Sequence, residues 1–175
     1  MNPNVKKILY LLFSLIISLP AYIMLHEGGH ALVAVLCGAR ITEFSLIGAY
    51  MSYDGGVFSP AMYSLFHCAG MLLPVMAAII YMLAYRASGG LFCRIFSFVF
   101  LLLPFGSILS WVFVPILYMA GCAPQSDDVT KFIISSGFEP WVVATVAVLL
   151  FAGCALLTVY KRVIQNWWDA VKSDN

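Results

Sequence analysis

Four long apolar runs dictate what this chain can become. They cover approximately Ile8–Cys37, Pro60–Tyr85, Leu91–Cys122 and Pro140–Tyr160. Each reaches the roughly 20 residues that a helix needs to cross the hydrocarbon core of a bilayer. Over 175 residues the chain is 63% hydrophobic and only 10% charged, whereas an ordinary soluble domain carries about 25% charged residues. One globular core of this size cannot hide so much apolar surface, so lipid must cover the remainder. The expectation is a single integral-membrane domain over residues 1–175, all-α, with about four transmembrane helices. Pro20, Pro74, Pro104 and Pro115 fall inside the runs and predict kinks, which membrane helices tolerate where neighbours satisfy the freed backbone groups.

Charge orients these spans. Lys6 and Lys7 precede the first, Arg86 and Arg94 flank the second connection, and Lys161, Arg162 and Lys172 follow the fourth. In a four-span chain those three places share one side, and only Arg40 and Lys131 fall on the other. The positive-inside bias then puts both termini in the cytoplasm. A formal net charge of +1 suggests no nucleic-acid partner. The first apolar run follows two lysines as a signal peptide would, but it continues past Pro20 to Cys37 without an A-x-A cleavage pattern and reads as a retained helix. Cys37, Cys68, Cys93, Cys122 and Cys154 are odd in number and lack a C-x-x-C pair, which predicts buried small hydrophobes rather than a disulfide framework.

Two connections carry structure of their own. The first runs from Arg40 to Phe58, is rich in β-branched and aromatic residues, and is punctuated by Gly48 and Asp54-Gly55-Gly56; it predicts two short strands forming a hairpin. The second, from Ala123 to Ile134, opens with helix-start chemistry. Ser126 or Asp127 is the expected cap of a short helix ending near Gly137, before Pro140.

Within the first span stands His26-Glu27-Gly28-Gly29-His30, an H-E-x-x-H arrangement. Residues four apart on a helix share a face, so both imidazoles can address one ion. Zinc favours tetrahedral nitrogen and oxygen ligation, with one position left to water in catalytic sites. Glu27, adjacent in sequence, suits the general base of such a site. A helix that merely anchors the chain gains nothing from these residues. An ionisable group at the middle of a membrane helix costs about 2.5–3.5 kcal/mol, and each glycine up to about 1 kcal/mol of helix propensity.

Asp127 and Asp128 are the candidates for the third ligand. His30 lies 22 residues beyond Ile8, or about 33 Å along a helix, near the far end of the span, and the aspartates sit in a connection on that same side. Asp128 is slightly favoured, because its predecessor can then cap the helix; the alternative for both is a solvated helix start. His67, the remaining histidine, is a candidate ligand, a partner behind the ligands, an oxyanion stabiliser or a helix–helix hydrogen-bonding residue. Glu43 and Glu139 read as surface charges, and Trp167 and Trp168 as interfacial anchors.

An H-E-x-x-H within a membrane span, followed by an aspartate at a later helix start, resembles the site-2 protease family of intramembrane zinc metalloproteases. The segment Cys68-Ala-Gly-Met-Leu-Leu-Pro-Val-Met-Ala-Ala is similar to that family's small-residue, proline-containing segment, and the strand-like loop fits its substrate-holding β element. Pro124-Gln-Ser-Asp127-Asp128 stands where the family carries asparagine-proline and Leu-Asp-Gly, which marks a divergent, minimal member. The resemblance implies Zn2+ on His26, His30 and Asp127 or Asp128, Glu27 as base, and a membrane protein or peptide as substrate. The charge bias puts the site towards the extracytoplasmic face, whereas the family typically cleaves near the cytoplasmic one. The alternative expectation is a non-proteolytic metal-binding membrane protein: a sensor, a transporter component or an inactive protease relative.

Overall fold

The computed structural model describes residues 2–172. In chain order it contains α1 (Pro3–Leu36), β1 (Ala39–Ser45), β2 (Tyr50–Gly55), α2 (Pro60–Ala84), α3 (Leu91–Met119), α4 (Asp128–Ser136), α5 (Pro140–Tyr160) and α6 (Val163–Lys172). The protein is all-α apart from one antiparallel hairpin between the first two helices. Four of its helices, α1, α2, α3 and α5, are long and apolar enough to cross a membrane. Their outer faces carry bare aliphatic side chains: Ile16, Leu149 and Leu156 are 67%, 66% and 71% exposed. In water each would forgo roughly 1.5–3 kcal/mol of burial, so a bilayer is the medium that makes this surface tolerable.

Helix starts follow local chemistry. The side chain of Asn2 accepts the Asn4 N–H at 2.9 Å, with Pro3 in the first turn, where its missing donor costs nothing. Ser59 and Pro60 repeat the device at α2, where Ser59 Oγ accepts the Met62 N–H at 3.2 Å. The helices continue through Pro20, Pro74, Pro104 and Pro115, the last three almost wholly enclosed by neighbouring helices. With 34 residues α1 is about 51 Å long, well beyond a 30 Å hydrocarbon core.

The hairpin pairs Ala39 with Gly55 and Ser45 with Tyr50, and a bulge falls between Ile41 and Glu43. Its inner side lies on a small cluster of Val33, Ala34, Ala39, Phe66 and Ala69. The larger core joins α2, α3, α4 and α5 through residues such as Met71, Ile108, Trp111, Val129 and Ile133. At the junction of α1 and α2 the backbones nearly touch. A Cβ on Gly29 would fall 2.2 Å from the carbonyl oxygen of Ala69, so only glycine permits this approach.

One expectation needs correcting. The cysteines are free but not uniformly buried: Cys154 is buried, Cys37, Cys68 and Cys93 are half-buried, and Cys122 is exposed. Cys122 follows the turn at Gly121 (φ +73°), where α3 has already ended. Trp167 and Trp168 belong to a sixth helix, α6, that packs against α3 and the end of α2. Trp167 stacks on Phe98 at 4.1 Å, and buried Asn166 donates to the Tyr85 hydroxyl at 3.1 Å. Trp168 stays half exposed beneath the Lys172 ammonium.

Candidate metal centre

His26 and His30 emerge from consecutive turns of α1, and Asp128 meets them from the first turn of α4. His30 Nε2 lies 3.4 Å from His26 Nε2 and 3.2 Å from Asp128 Oδ2, and His26 Nε2 lies 3.6 Å from the same oxygen. Two nitrogens and one oxygen thus form a nearly equilateral triangle. Bonds of about 2.0–2.1 Å to a tetrahedral ion would give ligand–ligand edges of about 3.3–3.4 Å. The donor set and its spacing fit one face of such a tetrahedron and leave the fourth position to a further ligand.

The tautomer of His30 is also set. Its Nδ1 lies 2.7 Å from the carbonyl oxygen of Phe66, which can only accept, so Nδ1 carries the proton and Nε2 presents its lone pair to the triangle. His26 Nδ1 is buried without a hydrogen-bond partner among the described residues. Gly70 clears the space that both rings occupy: a Cβ there would lie 2.4 Å from His30 Nε2 and 2.9 Å from His26 Cε1.

The two aspartates part company. Asp127 caps α4, its Oδ1 accepting the Val129 N–H at 2.8 Å, and takes no place in the triangle. Asp128, the next residue, turns its carboxylate to the histidines. Burial pushes that carboxyl up, but the imidazoles of His26, His30 and His67 outweigh it and hold the group well below the usual carboxylate range. His67 stands on the other oxygen, with Nδ1 3.5 Å from Asp128 Oδ1 and the ring packed edge-on against Tyr63. It reaches the aspartate rather than the triangle.

Glu27 is buried, at 8% exposure, beside this cluster. With His26, His30, His67 and Asp128 it lines a cleft of about 380 Å³ that is closed on the hairpin side by Ala49, Tyr50 and Met51 and on the α4 side by Ser126 and Lys131. Glu43 is an exposed surface charge, as expected, and accepts a hydrogen bond from the Tyr50 hydroxyl across the hairpin. Glu139 is the N-terminal flanking residue of α5 and Arg40 lies in β1; neither lines the cleft.

Sequence reasoning passed over the Phe66 carbonyl, Gly70, Tyr50 and Lys131. Only Gly70 left a trace, in the small-residue run Cys68-Ala69-Gly70; the Phe66 contact is a backbone group and leaves none. Compared with models of protein families, with curated proteins and with solved structures, the chain matches none.

Proposed function

We propose that this protein is a zinc-dependent intramembrane peptidase that hydrolyses peptide bonds of membrane-associated or transmembrane substrates, a divergent and minimal relative of the site-2 protease family. The observation that carries the reading is the triangle of His26, His30 and Asp128 with Glu27 buried beside it. A pure metal-storage or structural site needs the three ligands but has no use for a carboxylate between them. Bound Zn2+ would supply Lewis acidity and lower the pKa of water towards neutrality.

The chain's own residues then have defined tasks. Glu27 accepts a proton from the attacking water and returns it to the leaving amine, the ordinary dual role of one general acid–base group. The Phe66 carbonyl holds His30 in the tautomer that can ligate, and His67 steadies the free oxygen of Asp128. The hairpin offers unpaired strand edges beside the cleft, and an unwound substrate can add to an edge as an extra strand with its backbone accessible. The basic residues at the starts of α1 and α3 and after α5 make that end of the bundle cytoplasmic, which directs the centre towards the opposite face.

The test is Glu27→Gln. The native chain in lipid nanodiscs should cleave a randomised peptide mixture, with products read by mass spectrometry. The variant should retain one zinc per chain and lose about 10²–10⁴-fold in rate. Zinc bound by the native chain without any turnover would favour the non-proteolytic metal-binding reading instead.

A further inference from the structure

Two cavities share His26, His67 and Asp128 as a common wall. The first is the cleft described above, which alone holds Glu27 and the hairpin residues. The second, of about 390 Å³, lies on the α3 side and is bounded by Tyr22, Met71, Leu102, Gly106, Ser107 and Trp111. That volume falls within the range of small-ligand sites and leaves room for a whole aromatic side chain.

The chemistry of its walls narrows the occupant. Ser107 and Ser110 spend their hydroxyls on helix carbonyls, at 2.7 Å each to Pro104 O and Ser107 O. Asp127 is engaged as a helix cap and Asp128 by the histidines. No lysine or arginine lines the cavity, and its other polar groups are the Tyr22 hydroxyl and the imidazoles of His26 and His67. What remains exposed is mostly carbon, from Met71, Leu102, Leu103, Trp111 and Val129, and an acidic side chain would face Asp127 and Asp128 uncompensated, at a cost of several kcal/mol.

Gly106 is the second observation. A Cβ at this position would meet nothing within 4 Å, so packing between helices does not require glycine here. Glycine in a helix interior also costs up to about 1 kcal/mol relative to alanine. Its effect is to leave the chamber open where α3 faces the cluster.

We propose that this α3-side cavity is the pocket that selects the residue flanking the cleaved bond, that it takes a large uncharged side chain, aromatic or long aliphatic, and that Gly106 keeps it open. The inference rests on the peptidase reading: a backbone held in the hairpin-side cleft places one neighbouring side chain across the shared wall. Gly106 is then a specificity-determining residue.

The experiment compares two zinc-chelating peptide hydroxamates that differ only in a benzyl or a methyl side chain. Their binding to zinc-loaded protein in nanodiscs is measured by calorimetry for the native chain, Gly106→Ala and Gly106→Leu. The native chain should favour the benzyl compound at least tenfold, the scale on which an apolar pocket discriminates. Gly106→Leu should erase that preference, and Gly106→Ala, which has free space for its methyl, should reduce it in part. In the randomised peptide mixture, cleavage beside large apolar residues should give way in Gly106→Leu to cleavage beside small ones. Equal affinity for both hydroxamates in the native chain, or an undiminished benzyl preference in well-folded Gly106→Leu, would overturn the proposal. A benzyl preference that Gly106→Leu removes, in a chain that cleaves nothing, would leave the pocket standing and remove the peptidase reading.

Discussion

Gly70 of α2 lies directly against the imidazole of His30 on α1, so close that a Cβ would fall 2.4 Å from Nε2. The proposed metal centre therefore depends on a residue that ligates nothing. In Gly70→Ala the methyl must displace both rings, because His26 Cε1 lies 2.9 Å from the same position. Displaced partners behind metal ligands typically cost 10–100-fold in affinity. Gly70→Ala should lose zinc by about that factor in a competition titration while its helix content stays native. Unchanged affinity would mean that the rings have room the geometry denies them.

Neighbouring glycines in the H-E-x-x-H segment should behave differently from each other. A Cβ on Gly28 meets only Leu73 Cδ2 at 4.0 Å, an ordinary contact, whereas one on Gly29 meets the backbone of Ala69 at 2.2 Å. Backbone cannot swing aside as a side chain can, so α1 and α2 must separate. Gly28→Ala should leave thermal stability unchanged or slightly raised. Gly29→Ala should destabilise by about 1–3 kcal/mol, the ordinary cost of overpacking, or more. Thermal unfolding in detergent compares the two, and equal melting temperatures would sink the close-approach argument.

The contrast between those glycines explains what sequence could and could not disclose. The spans were legible because each is a long apolar run with strong punctuation: Ser59-Pro60 opens α2 and Glu139-Pro140 opens α5. The short α4 announced itself through Asp127 at its start and Gly137, in the left-handed region, at its end. The histidines were legible from spacing on one helix. Gly70 and the Phe66 carbonyl were not, since their importance arises only when α2 is laid against α1. α6 escaped because ten residues do not make a long apolar run, and its place depends on a tertiary stack of Trp167 on Phe98.

Chelation should leave the fold intact. α4 is held by buried Val129, Thr130 and Ile133 and by the Ser64–Ser135 hydroxyl contact at 3.0 Å, none of which involves the histidines. Small zinc domains, by contrast, unfold without their ion. Treatment with a chelator should remove any cleavage activity yet preserve the far-ultraviolet circular dichroism, and added Zn2+ should restore the activity. Loss of helix on chelation would show that the metal is structural.

Asp127 and Asp128 offer the sharpest discrimination, because adjacent carboxylates of identical chemistry have been given different partners. Asp127→Ala removes the cap on the Val129 N–H, which should cost about 1 kcal/mol of stability. Asp127→Asn should recover most of that, since asparagine caps as well as aspartate does. Neither should change zinc stoichiometry, for Asp127 contributes no atom to the triangle. Asp128→Asn keeps the helix start and the side-chain size but removes the negative charge that faces two imidazole nitrogens at 3.2 and 3.6 Å. It should abolish stoichiometric zinc and also lower the unfolding midpoint of the metal-free protein at neutral pH, because the carboxylate that the imidazoles stabilise is lost. Zinc analysis of the three purified variants decides the matter, and zinc loss in Asp127→Asn with retention in Asp128→Asn would reverse the assignment.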